Sequence, residues 1–141
     1  MSQNMLTADD FFALSNYYFE LNIKIQNELI DEDIVFPDDV RENLIKQAVD
    51  AGNTAVDFQQ LSNNQMTRDV GTSVAKINNA IVDAIQTIRE VKIAGKVIEI
   101  IADLVDIAVT IGMGASKPTA YAALPALVKE LRKDLEDLKN Q

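Results

Sequence analysis

A hydrophobic pattern of helical period holds one phase across residues 70–109. Val70, Val74, Ile77, Ile81, Ala84, Ile88 and Val91 follow one another in steps of four and three, and after Gly95 the phase resumes at Ile98, Ala102, Val105 and Val109. Such spacing draws a seam along one side of a helix, turned toward a partner. Gly is a weak breaker and the phase survives it, so the pattern predicts one long helix from about residue 66 to Gly112. At about 1.5 Å per residue the rod would reach about 70 Å, a length that favours coiled-coil-like packing.

Four further stretches carry helical signals. Thr7 caps a helix over residues 8–27, with Asp9 and Asp10 in its first turn and Leu6 and Phe11 at the spacing of a hydrophobic staple. Its buried stripe is Phe11, Leu14, Tyr18, Leu21, Ile25 and Leu29. Pro37, Asp38 and Asp39 open a second helix that runs to Leu61, with the stripe Val40, Leu44, Ala48, Ala51, Ala55 and Phe58. Small residues at Ala48, Ala51, Gly52 and Ala55 let another helix approach closely. Gly112, Gly114 and Pro118 form the clearest breaker, a hinge or hairpin tip. Beyond it, Tyr121, Leu124, Val128, Leu131, Leu135 and Leu138 line the last helix, where Pro125 sets a kink or the true start. No strand is predicted. The expected fold is all-α: an elongated antiparallel four- or five-helix bundle with one long heptad-patterned helix, in one domain over residues 1–141.

Within this pattern a narrow polar seam runs through apolar surroundings. Lys92, Lys96, Glu99, Asp103, Asp106 and Thr110 recur in steps of four and three, while nearly everything else from Val97 to Ile111 is apolar. The simplest reading is a central helix whose acids reach solvent. A face this wide is hard to cover with four or five helices, which points to a shared subunit interface. Ile77, Ile81, Ile88, Ile98, Ile101, Val105 and Val109 are the interface candidates.

Composition narrows the chemistry. The chain has 141 residues, no cysteine and no histidine. Triads built on His, thiol nucleophiles, thiolate or imidazole metal sites and Glu-x-x-His di-iron sites are therefore excluded. Carboxylates at i and i+4 could share a cation, but no twelve-residue Ca²⁺ loop is present, and no cofactor or metal is expected. The run from Gly112 to Lys117 lacks the spacing of a phosphate loop. Phe11, Phe12, Tyr17, Tyr18 and Phe19 pair as Phe11 with Tyr18 and Phe12 with Phe19 on adjacent helix faces; core packing with one exposed edge is expected over a planar-ligand site. The net charge of −9 disfavours nucleic acid and anionic membranes. Its acids are spread along the chain, with a cluster at Asp31, Glu32, Asp33, Asp38 and Asp39. The start lacks the pattern of a cleaved signal peptide, which leaves the compartment unassigned, with the cytoplasm as the default and signal-independent export open.

No enzyme is expected. The first reading is a helical interaction or assembly protein that self-associates through apolar helix faces. A second is membrane-active: residues 93–113 would span about 30 Å as a helix, with the polar seam lining water. The 97–128 hairpin resembles, in outline, the hydrophobic hairpin of α-helical pore-forming toxins, which implies insertion on assembly. A third is an acidic inhibitor of a basic partner, acting through residues 31–39.

Overall fold

The computed structural model describes residues 4–141 and is mostly helical, with five helices and a two-residue antiparallel ladder. Helices α1 (Ala8–Leu29), α2 (Asp38–Asn63), α3 (Val74–Arg89), α4 (Lys96–Gly114) and α5 (Leu124–Lys139) follow in order, with a 3-10 turn at Pro118–Ala123 before α5. Strand β1 (Met5–Leu6) pairs with β2 (Arg68–Asp69), which ties the start of α1 to the link between α2 and α3.

The caps follow from local chemistry. The Thr7 hydroxyl accepts the Asp10 N–H while the Asp10 carboxylate accepts the Thr7 N–H at 2.9 Å, a complete capping box. Leu6 and Phe11 are both fully buried beside it, as a staple requires. Pro37 caps α2, and Pro125 lies in the first turn of α5, where its missing N–H has no intrahelical partner to lose.

Helices α1 and α2 form an antiparallel hairpin. The Phe11 and Phe58 rings lie 6.0 Å apart at one end. In the middle, Asn22 Nδ2 donates to the Ala48 carbonyl at 2.6 Å, and Arg41 Nη1 donates to the Leu29 carbonyl at 3.1 Å near the turn. The small stripe explains how near the two backbones come: a Cβ on Gly52 would meet Asn22 Nδ2 at 3.0 Å. Tyr18 then crosses from α1 to α4, its buried hydroxyl donating to the Leu104 carbonyl at 2.6 Å. Helix α5 runs antiparallel to α4, with Lys96 near Asp134 and Gly114 against Tyr121. Arg132 on α5 pairs with Asp83 on α3 at 2.6 Å. The stripes predicted for α1, α2 and the last helix supply most of one continuous core.

The long helix is not formed. Helix α3 begins at Val74, eight residues after the predicted start, behind the Ser73 cap, because residues 68–69 are taken by the ladder. It ends at Arg89, and residues 90–95 form a break. Gly95 there has φ +53°, a conformation that disfavours any residue with a Cβ. Contacts across the fold also hold the break open. Glu28 on α1 accepts the Ile93 N–H at 2.7 Å, and Lys24 donates to the Val91 carbonyl. The hydrophobic phase continues across Gly95, but the helix carrying it does not.

Candidate functional site

The residues predicted to form an interface lie mainly inside the chain. Ile77, Ile81, Ile88, Ile101 and Val105 are buried, and Ile98 and Val109 are partly buried against the same core. The wide dry face of α4 is covered by α2, α5 and the 3-10 turn, with α3 and the Tyr18 side chain of α1 at its margins. Exposing the 97–128 hairpin would mean withdrawing Ile100, Ile101, Leu104, Ile107, Ala108 and Ile111 from the core. Among the described residues, no helix is long and apolar enough to cross a membrane.

The polar seam faces α5. Lys96 Nζ lies 2.7 Å from Glu99, 3.6 Å from Asp134 and 3.7 Å from Asp137. One turn on, the Asp103 carboxyl meets the buried Asp134 carboxyl. Asp103 Oδ2 is buried with no donor. Two ionised carboxylates can only accept, so this approach favours the protonated form of Asp103. Burial, then the contact with Asp134 and the charges of Asp134, Glu130 and Asp106, push Asp103 up to about 8. Asp106 is at the surface; partial desolvation raises its carboxyl and Lys46 on α2 opposes the rise. Among the described residues, no group of three or more acidic side chains is placed to hold a metal ion.

At the predicted tip, Gly112 and Gly114 close α4 and Pro118 opens the 3-10 turn. Gly114 packs directly on the Tyr121 ring, where a Cβ would collide. Gly114 is buried, but Met113, Ser116, Lys117 and Pro118 are exposed, so the segment is a tight surface turn between α4 and the 3-10 turn.

The exposed apolar surface lies elsewhere, on the outer side of the α1–α2 hairpin. Phe12 (55% exposed), partly buried Phe19, Ile23 (55%) and Ile30 (77%) recur in steps of seven, four and seven along α1. On α2, Ile45 (45%), Val49 (54%) and Val56 (43%) recur in steps of four and seven. Each set occupies one helical side, opposite or oblique to the stripe that enters the core. Toward the turn the two ridges flank a groove lined by Gln26, Leu29, Ile30, Arg41, Ile45 and Val49, with Asn22 and Ala48 at its floor, while Ile23 also borders a cleft against Ile85 and Ile88 of α3. The Phe11–Phe58 contact sets Phe12 and Val56 at the far end of the same hairpin. Among the described residues, seven of the nine exposed large hydrophobics lie between residues 12 and 56, so the patch is a feature of this hairpin.

The charge is as unevenly placed. Residues 8–63 hold twelve Asp and Glu against three Lys and Arg; the remaining residues hold ten against ten. The whole net charge of −9 therefore sits on the hairpin. The acids are spread along the chain, as the sequence suggested. It is the bases that are sparse here, and two of the three are bonded to groups of the hairpin itself. Lys24 pairs with Glu28, Arg41 caps the end of α1, and Lys46 lies near Asp106. The second ridge of each helix and the shortage of bases are both visible in the sequence, but the stronger seam over residues 70–109 drew the interface prediction.

No protein-family model, curated protein or solved structure matches this chain.

Proposed function

We propose that this chain is a non-enzymatic helical interaction module, a single-domain antiparallel bundle of five helices that docks protein through the outer face of α1–α2. The observation that supports the reading is the pair of apolar ridges, exposed at Phe12, Ile23 and Ile30 on α1 and at Ile45, Val49 and Val56 on α2, which flank a groove toward the turn on helices whose other sides are already in the core. Burying such ridges against another chain removes apolar surface from water at about 25 cal/mol per Å². Self-association belongs to this reading where salt screens the charge of the hairpin. Two copies meeting through the face each bring its negative charge, and the repulsion weakens as the Debye length falls from about 10 Å near 0.1 M salt to about 3 Å near 1 M.

Light scattering on a sizing column, in low and high salt, tests this. The expected result is a monomer in low salt and a concentration-dependent dimer in high salt, lost in the double variant Ile45→Asn, Val49→Asn with helicity retained. A chain that stays monomeric at every salt and protein concentration, with the double variant indistinguishable from it, would remove the support for an association face.

A further inference from the structure

We infer that the groove between the α1 and α2 ridges receives a cationic amphipathic helix of a partner protein, apolar side down between the ridges and Lys and Arg side toward the acids of residues 31–42. The inference rests on the interaction reading above and names the partner of the same face.

Shape comes first. Helix α1 has 22 residues and α2 has 26, so the face is about 33 Å long or more, enough for a partner helix of five or six turns. Its apolar points recur at sevens and fours on both sides, the spacing at which an incoming helix presents its own apolar stripe. Ala48 and Gly52 on α2 keep the groove floor low.

Charge then selects the occupant. Asp31, Glu32, Asp33, Asp38, Asp39 and Glu42 are all exposed, crowded around the turn that carries Ile30 and Val35, the two most exposed large apolar residues. The one base among them, Arg41, is held to the Leu29 carbonyl. At the opposite end Asp10 is engaged with Thr7 and with Asn78 Nδ2, so its charge is partly answered. The negative field is therefore strongest at the turn end, and a docked helix directs its densest run of Lys and Arg there. A second copy of this chain offers the opposite of what the face attracts, because its matching face carries the same excess of acid. A neutral helix fits the ridges but gains nothing from the rim. A cationic helix gains both terms, and the charge gain appears mainly in association rate and salt dependence.

The test uses the full chain and two labelled peptides of about 18 residues with an identical Leu stripe, one with Lys and one with Gln on the polar side, read by fluorescence anisotropy. The expected result is saturable binding of the Lys peptide at about 50 mM salt, at least about tenfold weaker binding of the Gln peptide, and a loss of about tenfold or more for the Lys peptide at about 500 mM salt. Ile45→Asn with Val49→Asn should abolish binding. Asp31→Lys with Asp33→Lys and Asp38→Lys should weaken the Lys peptide and spare the Gln peptide. Circular dichroism reports that each variant is folded, and Phe12→Asn with Ile23→Asn serves as the second ridge variant where the first unfolds. Equal binding of the two peptides would overturn the cationic assignment and leave the interaction face standing. Undiminished Lys-peptide binding by both ridge variants would overturn docking in the groove and indicate diffuse charge attraction. Binding of neither peptide, together with a monomer at every salt concentration, would overturn this inference and the interaction reading alike.

Discussion

The Glu28 carboxylate on α1 accepts the backbone N–H of Ile93 at 2.7 Å, joining residues 65 positions apart at the break between α3 and α4. Its other oxygen is 2.7 Å from Lys24, which also reaches the Val91 carbonyl. A carboxylate that answers a buried N–H and an ammonium together does what a cap does for a helix terminus, but from another helix. The break is thus fixed by tertiary contact as well as by Gly95.

Glu28→Ala should leave the Ile93 N–H buried without an acceptor and Lys24 without its partner. We expect a loss of about 2 kcal/mol, the penalty for orphaning a buried donor to a charged acceptor. Urea unfolding measures it. Amide exchange at residues 91–95 should quicken more than exchange in α2. A uniform change across the chain would argue against a local role for the clasp.

Gly112 and Gly114 predict opposite signs. Both close α4, yet nothing lies within 4 Å of a Cβ on Gly112, whereas one on Gly114 would collide with the Tyr121 ring. Gly112→Ala should stabilise by about 0.5 kcal/mol, from helix propensity. Gly114→Ala should destabilise by about 1–3 kcal/mol, the usual range for overpacking. Thermal melts of the two variants against the parent decide it; equal shifts would mean that the Tyr121 contact does not constrain the junction.

Tyr18 sits wholly buried at the centre of the core, its ring 5.8 Å from Phe58 and its hydroxyl on the Leu104 carbonyl. Burial pushes its phenol well above the usual range, so it stays a donor at every pH of interest. Tyr18→Phe keeps the ring packing and removes one hydrogen bond, for an expected loss of about 1 kcal/mol. Tyr18→Ala should cost about 3–5 kcal/mol, by analogy with other large aromatic truncations. A Phe variant as damaging as the Ala variant would show that the hydroxyl, rather than the ring, organises the α1–α4 contact.

Much of this fold is legible in the chain because its stripes are strong and its caps are local. Leu6, Thr7 and Asp10 announce α1 within five residues of sequence, and Phe11 to Leu29 mark its buried side. The exceptions share a physical reason. The break at residues 90–95 depends on Glu28 and Lys24, far away in sequence, and Gly95 alone does not reveal it. The ladder at Arg68–Asp69 requires Met5–Leu6 as a partner, and two-residue strands carry no period to read. The candidate face was harder still. Phe12, Ile23, Ile45 and Val49 are an apolar set secondary to a stronger one on the same helices, and only the folded hairpin shows that the secondary set stays outside. The seam at Lys96, Glu99, Asp103 and Asp106 was visible as a line; that Asp134 faces it was not.

Asp103 gives the fold a pH response. It is pushed up to about 8 by burial and by the facing Asp134 carboxyl, whereas an unfolded aspartate titrates at about 3.9. Between those values the folded chain holds a proton that the unfolded chain has lost. Stability therefore falls as pH rises from about 4 to about 8, and levels off above the folded value. The charges around the pair are Glu130 on α5 and Asp106 on α4 beside Asp103, and Lys96 beside Asp134; Lys96 in turn meets Glu99 and Asp137, and Lys46 of α2 acts on Asp106. Lys96 moderates the fall by attracting Asp134, and its own pKa is raised first by its bond to Glu99. Asp103→Asn replaces the titrating carboxyl with a permanent amide donor, which can serve Asp134 at any pH. Because Asp103 is only half-buried, solvent screening reduces the gain, and we expect about 1 kcal/mol near neutral pH. Chemical denaturation at pH 5, 7 and 9 reads it: the parent should lose stability across the series, and the variant should lose less. Parallel curves for the two proteins would place the proton somewhere other than between α4 and α5.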